Sequence, residues 1–245
     1  MKRFTSFFIC SFIAFPVFHS CLPSHWKEVK GNYHIVNEKI AIPDYDEITV
    51  NISADVVYRQ IAQDEPFLQV SVDANILPLL NISVKNHRLI IDQTDDSIIK
   101  PSKLIIYTNS RNLEQVKITG SGNVLLANEV NAKEMKLSII GSGDVKTDSL
   151  YCKELEVKIT GSGDVLLNGA ATSADFRISG SGDIRAFNYA IEDLDCRISG
   201  SGDIDALVLR ELEASISGSG DIRYKGHPKS VHTSVSGSGD IIQIN

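Results

Sequence analysis

The sequence is short of several residue types, and each shortage excludes a class of protein. Basic residues are outnumbered, with 24 Lys and Arg against 31 Asp and Glu, which gives a formal net charge of −7. Such a chain has no basic stripe to neutralise phosphates, and this argues against nucleic acid as a partner. Four cysteines in 245 residues are too few for a fold held together by disulfides.

A long hydrophobic run is also missing. The apolar stretch between Phe4 and Phe18 is interrupted by polar residues and is shorter than the roughly 20 residues that span a bilayer. Lys2 and Arg3 precede it, so residues 1–20 have the pattern of a secretory signal peptide. Removal of that segment changes the net charge to 22 − 31 = −9.

Cys21 follows this segment and resembles the modified cysteine of a bacterial lipobox. Ser20 is the small residue expected before it, whereas His19 and Phe18 depart from the usual residues. The alternative is ordinary cleavage nearby, but residues 18–20 form a poor site of that kind. We expect Cys21 to be lipidated, the protein to be exported and anchored in the outer membrane, and residues 21–32 to form a polar tether. Whether the anchored protein faces the periplasm or the outside of the cell is left open.

Glycine is only average in number, yet 14 of the 17 glycines lie in seven Gly-Ser-Gly tripeptides whose starts are 18 to 21 residues apart. These are Gly120, Gly122, Gly141, Gly143, Gly161, Gly163, Gly180, Gly182, Gly200, Gly202, Gly218, Gly220, Gly237 and Gly239. We expect them to be structural, because glycine allows tight turns and close backbone approach.

Hydrophobic residues alternate with polar ones on both sides of each tripeptide. Two positions before it lie Ile118, Ile139, Ile159, Ile178, Ile198, Ile216 and Val235. The residue after each tripeptide is polar and is followed by Val or Ile: Asn123, Asp144, Asp164, Asp183, Asp203, Asp221 and Asp240. Alternation with period 2 that leads into a turn and out again predicts short β-strands.

A repeat of about 19 residues matches one coil of a β-solenoid, since a single coil cannot bury its own apolar face and must stack on its neighbours. The sequence therefore predicts an all-β fold, a right-handed parallel β-helix. We expect about seven coils within residues 111–245, with the seven Ile and Val side chains in one buried column.

Residues 33–110 lack the tripeptide but still alternate, and Ala54-Asp55-Val56 has the form of a shortened repeat. We expect irregular β coils continuous with the regular ones, or a capping β layer, so that residues 33–245 form one domain. Cys152 and Cys196 fall in different columns two coils apart, beyond the reach of a disulfide. Cys196 is expected to be a small core residue.

The repeated Gly-Ser-Gly-Asp-[Val/Ile] coils behind an exported N-terminus resemble the "putative auto-transporter adhesin, head GIN domain" family of Bacteroidetes. The stretches Tyr45–Val50 and Leu89–Ile91 resemble the opening pattern of that family, so the resemblance covers about residues 33–245. It implies a right-handed parallel β-helix similar to pectin-lyase-like folds and a role in adhesion, and it supplies no catalytic residue.

No metal-binding or nucleophile motif occurs among the histidines, cysteines and serines. We expect no enzyme, no catalytic residue, no metal and no cofactor. The Asp column is the one constellation with chemistry in it, because carboxylates at about 4.8 Å spacing repel one another and need compensation. A backbone N–H of the turn itself is the favoured partner. Calcium is the alternative, and a glycosidase pair is disfavoured because a regular column gives no two carboxylates different surroundings.

A second, outward column is basic: Lys117, Lys158, Arg177 and Arg197. We expect a solvated face that also discourages sheet aggregation, with contact to an acidic glycan as the alternative.

Three functions stay open at this point. The first is a non-enzymatic, adhesin-like envelope lipoprotein that binds a glycan or a protein. The second is an assembly module whose coils stack between subunits, which makes a homo-oligomer a further expectation. The third, a polysaccharide-active enzyme on the same fold, predicts irregular clusters of charge that the repeat does not contain.

Overall fold

The computed structural model describes residues 27–61, 65–94 and 97–244. These residues are nearly all β, with 73% of the chain in strands and about six turns of a β-solenoid. The one other regular element described is a 3₁₀ turn at Leu77–Leu79. The expected signal peptide and Cys21 lie outside the described residues.

The strands divide into a short N-terminal group and a group that builds the coils. The first group is β1 (Lys27–Lys30), β2 (Ile35–Ala41), β3 (Glu47–Val50), β4 (Asp55–Gln60), β5 (Phe67–Asp73), β6 (Leu80–Lys85), β7 (Arg88–Gln93), β8 (Ser97–Lys100) and β9 (Leu104–Ser110). The second is β10 (Gln115–Gly120), β11 (Asn123–Gly141), β12 (Val145–Gly161), β13 (Val165–Gly180), β14 (Ile184–Gly200), β15 (Ile204–Gly218), β16 (Ile222–Lys225), β17 (Ser230–Gly237) and β18 (Ile241–Gln243).

The coils stack in parallel and in the register that the repeat predicts. Ile178 pairs with Ile159 below and Ile198 above, and Gly180 pairs with Gly161 in the same way. Six complete coils lie between the seven tripeptides, one fewer than expected. The reason is that the first tripeptide belongs to the coil that ends at β10. Below it, β10 stacks on β3 and β11 on β4, so the columns continue into the N-terminal strands.

Each regular coil consists of three paired stretches, and its length is adjusted mainly at the corner between the first and the second. In β11 and β12 the register shifts after Leu126, where the lower coil has one residue more than the upper one. The shifts between the next three pairs of coils also fall in this corner, with one small adjustment beyond Ile191. Differences in coil length therefore leave the Gly-Ser-Gly turns in register.

The turn glycines are required for two different reasons, which Gly180 and Gly182 illustrate. Gly180 has φ +138°, a conformation that side chains rarely adopt. Gly182 has no such angle, but a Cβ on it would overlap the carbonyl oxygen of Gly163 in the coil below. The stacked coils thus approach so closely at this turn that only glycine fits.

The predicted hydrophobic column is buried, except at its last member. Ile178 is 2% exposed, and the side chains from Ile118 to Ile216 are similarly buried. Val235 is 46% exposed, which corrects the expectation that all seven side chains are buried. The reason is that no described strand stacks on the outer side of β17, so Val235 has a neighbour in the column only below.

The N-terminal strands form both of the structures that the sequence left open. β4 and β9 continue the parallel stack, whereas β5 lies antiparallel on β9, and β2 lies antiparallel on β5. β6 and β7 form a hairpin whose turn places Asn86 and His87 at positive φ. Antiparallel strands therefore cap this end of the solenoid.

Part of the expected tether is folded onto this cap. β1 pairs in parallel with β8, so residues 27–30 depart from the tether expected over residues 21–32. Asp73 fastens the chain that follows: its carboxylate accepts hydrogen bonds from Tyr33 N–H at 2.7 Å, from Ser102 N–H at 2.7 Å and from the Ser102 hydroxyl at 2.8 Å. Burial alone would raise the pKa of Asp73, but these hydrogen bonds lower it.

The two described cysteines are free thiols in different surroundings. Cys196 is buried in the column between Phe176 and Ala214, as expected for a core residue, and burial raises the pKa of its thiol. Cys152 lies 3.3 Å from the hydroxyl of Tyr189, and burial raises its pKa as well. Neither thiol has the lowered pKa of a reactive cysteine.

Candidate functional site

The Asp column forms one continuous ladder of hydrogen bonds along the solenoid. In each step the Oδ1 atom of one residue accepts a hydrogen bond from the backbone N–H of its equivalent in the next coil, at 2.9 to 3.1 Å. The series runs through Asn123, Asp144, Asp164, Asp183, Asp203, Asp221 and Asp240.

This geometry refines the expected role of the column. The carboxylates do accept backbone N–H groups, but the donor belongs to the neighbouring coil rather than to the residue's own turn. Asn123 fits because its amide oxygen accepts the N–H of Asp144 as a carboxylate would. Each hydrogen bond of this kind also offsets the repulsion between successive carboxylates.

The Asp column begins one coil earlier than expected, but its first contact is of a different kind. Asp55 pairs with Asn123, whose side-chain amide donates to the Asp55 carboxylate at 2.8 Å. The backbone N–H of Asn123 donates instead to the carbonyl oxygen of Ala54 at 2.9 Å. The shortened repeat at Ala54-Asp55-Val56 is the sequence signal that identifies this additional member.

Two arginines neutralise the ladder in its later coils. Arg185 lies 3.1 Å from the carboxylate of Asp164 and 2.9 Å from that of Asp183. Arg223 bonds to Asp205 at 2.7 Å and lies 3.6 Å from Asp203. Both arginines follow a ladder Asp by two positions, so they point to the same outer side, a relationship that the sequence analysis did not use.

The basic column has its predicted outward register and is paired with acidic neighbours. Arg177 bonds to Asp175 at 2.8 Å and Arg197 to Asp195 at 2.9 Å, both within one strand. Their positions stack on Lys158 below. An arginine that is engaged in this way is less available to an acidic glycan than a lone basic column would be.

The described residues contain no group of three or more His, Cys, Asp or Glu side chains arranged to hold a metal ion. Calcium at the Asp ladder therefore has no preformed site of that size in the described part of the chain. The ladder carboxylates instead have protein partners, namely the N–H groups of the next coil and the arginines Arg185 and Arg223.

Across the described ranges, no helix is long and apolar enough to traverse a membrane. No curated protein matches the chain.

Solved structures similar to this chain include proteins from Bacteroides and Parabacteroides species. A "putative adhesin" from Bacteroides fragilis is 26% identical with a TM-score of 0.82 and matches 88% of this chain over its whole length. A "putative adhesin" from Parabacteroides distasonis is 30% identical with a TM-score of 0.74, and a "putative lipid binding protein" from the same species is 29% identical with a TM-score of 0.75. Each is covered completely and matches 89% of this chain.

A family model matches residues 44–228, which include β3 to β9 of the N-terminal strands and all but the last of the Gly-Ser-Gly turns. The chain therefore belongs to the family described as "Putative auto-transporter adhesin, head GIN domain".

Proposed function

We propose that this protein is an exported lipoprotein of the outer membrane that binds a glycan or a protein without turning it over. Membership of an adhesin family supports the adhesin-like role and a place in the cell envelope. The observation on which the proposal depends is the repetition of one hydrogen-bonded carboxylate along the solenoid.

Acid–base catalysis needs groups whose surroundings push their pKa values apart. Here successive ladder carboxylates have the same partner, the N–H of the next coil, at nearly the same distance. A rigid surface with repeated groups is suited to binding, where several weak contacts add up through avidity.

The test of binding is an array of oligosaccharides and matrix proteins probed with the mature chain. We expect retention of at least one class of probe with no change in the mass of the bound glycan. Cleavage of a glycan that a single substitution abolishes would contradict the non-enzymatic role.

The lipid anchor has its own test, because it depends on the N-terminal sequence alone. Mass spectrometry of the membrane-extracted protein should find a diacylglyceryl group on Cys21, and Cys21→Ala should release the protein from the membrane. An unmodified N-terminus at another residue would contradict the anchor.

A second candidate is stacking between subunits, and the last described coil favours it. The outward residues of β17 are uncharged, in contrast to Arg197 and Glu213 of the coils below, and Val231 and Val235 are exposed. Uncharged edge strands readily pair with another chain. Sedimentation of the wild type and of Val235→Lys distinguishes the two, since assembly through this edge predicts a larger particle that the substitution breaks.

A further inference from the structure

An outward row of side chains crosses the strands on the face that follows the Asp ladder. We call it the outer row, and its members occupy matching positions in successive strands. They are Lys39, Gln69, Tyr107, Val57, Leu125, Lys146, Leu166, Arg185, Asp205, Arg223 and Ile242.

The outer row changes in chemistry along the solenoid. From Arg185 to Arg223 the side chains are charged and are paired with the Asp ladder or with each other. Before Arg185 the row is mostly apolar, and Tyr107 and Leu166 are 38% and 36% exposed. Exposed apolar side chains grouped on one face indicate a contact surface. In this row most of the apolar side chains lie before Arg185, while Ile242, 42% exposed, stands alone at the other end.

Tyr107 lies between two shallow depressions that share it and Val57 as lining residues. The first, of about 330 Å³, is also lined by Arg59, Phe67 and Gln69. The second, of about 360 Å³, extends across the neighbouring strands in the opposite direction.

The second depression is lined by charged groups of both signs. Asp55 and Asp144 of the Asp column line it together with Lys146, and its apolar lining residues include Ile105 and Leu125. Across both depressions, an exposed aromatic ring is therefore flanked by an amide, basic groups and carboxylates.

This combination matches the chemistry of a sugar ring. One face of a pyranose presents C–H groups, which pack on an aromatic ring, while the hydroxyls at its edge need donors and acceptors nearby. Carboxylates and basic groups balance each other around Tyr107, which favours a neutral sugar over an acidic one.

A protein partner fits the same surface less well. A stable protein interface needs about 800 Å² on each side, whereas the apolar part of the outer row is one side chain wide. It extends from β9 to β13, four strand spacings of about 4.8 Å. A narrow row along the solenoid matches an extended chain of sugars better than a broad protein surface.

We propose that Tyr107 is the stacking platform of a binding site for a pyranose ring of a neutral glycan. Gln69 and Arg59 contact the sugar hydroxyls on one side, and Asp55 and Lys146 contact them on the other. This inference rests on the proposed binding function and assigns it a place and a ligand class.

The experiment uses the mature chain on an array of neutral and acidic oligosaccharides and matrix proteins, followed by titration with the oligosaccharide that is retained most strongly. Tyr107→Ala should weaken binding by about tenfold or more, since stacking on an aromatic ring is lost. Tyr107→Phe should keep most of the affinity. Tyr151→Ala is the matched control, because Tyr151 is 43% exposed on another stretch of the coil and should leave binding unchanged.

Thermal melting shows whether each variant is folded, and Gln69→Ala at the rim replaces Tyr107→Ala if that variant is not. Glycan binding that ignores both substitutions overturns the site but leaves the proposed function intact. Retention of matrix proteins alone, or a preference for acidic sugars, overturns the ligand class. Retention of no probe overturns the inference and the binding function together.

Discussion

The regular coils and the N-terminal strands share one hydrophobic core but reach it in different ways. In the coils, stacked backbones approach so closely at the turns that a Cβ on Gly180 would overlap the carbonyl oxygen of Gly161. At the border with the N-terminal strands, a Cβ on Gly120 would meet only Asn51 O, at 3.8 Å. The first glycine of the turn is therefore tightly fitted only within the coils. The second glycine is tightly fitted at the border as well, since a Cβ on Gly122 would lie 2.6 Å from the carbonyl oxygen of Ile52.

Of the two ends of the solenoid, the described residues cap only the N-terminal one. The N-terminal strands use antiparallel pairs and side-chain hydrogen bonds such as those of Asp73 to close the stack. The last coil has the same Ile and Val pattern as the others, and its side chains stay exposed where nothing described covers them. The repeated sequence determines how each coil stacks on the next, but it does not determine how the stack ends.

The largest expected effect comes from placing a side chain in the tight turn. Gly180→Ala should cost at least about 4 kcal/mol of unfolding free energy, because backbone of the coil below must move. Gly120 also has a positive φ, but a Cβ there would have no close contact. Gly120→Ala should therefore cost about 1–3 kcal/mol. Urea denaturation measures both, and equal losses would contradict the difference between the regions.

A smaller loss of unfolding free energy is expected from substitutions in the buried Ile column, where the cost depends on how deeply the side chain is buried. Ile178→Ala should cost roughly 2–5 kcal/mol, since it leaves a cavity among stacked coils. Val235→Ala in the exposed last coil should cost well under half of that. If the two losses are similar, something covers the last coil in solution.

The Asp ladder should respond more weakly. Asp183→Ala removes the acceptor of the Asp203 N–H and one partner of Arg185, for a loss of about 0.5–1.5 kcal/mol. Asp183→Asn should lose less, because an amide oxygen serves the same N–H at Asn123. A large loss of glycan binding in Asp183→Ala, with unchanged stability, would assign the ladder to the contact face instead.

The smallest effect on the whole fold should be an acid-sensitive loosening of the N-terminal cap. The pKa of Asp73 is lowered in the folded state, so its contribution is present above the pKa of the unfolded chain and is lost as the pH falls through the folded value. The protection of the Tyr33 and Ser102 amides against hydrogen exchange, relative to the intrinsic exchange rate, should therefore fall below about pH 4. Amides in the core of β13 should stay protected there.

Sequence reasoning was accurate where one residue type repeats for one physical reason. The Gly-Ser-Gly turns and the Ile column predicted the parallel register, because a shared period permits one stacking only. The hydrogen-bond partner of each ladder Asp was harder to predict. Both the N–H of its own turn and the N–H of the next coil are near the carboxylate, and the sequence does not distinguish them. The position of Tyr107 between two depressions depends on β4 and β9, whose paired residues lie 50 residues apart in the chain and have no repeat to align them.

The corner at which the coils adjust their length has a consequence for how such proteins change over generations. Single residues gained or lost after Leu126 or its equivalents shift neither the Gly-Ser-Gly turns nor the ladder. Changes in the length of this corner can therefore alter the outline of one edge of the solenoid without moving the turns. The same corner is also suited to the insertion of a foreign peptide for display, because an insertion there leaves the stacked coils in register.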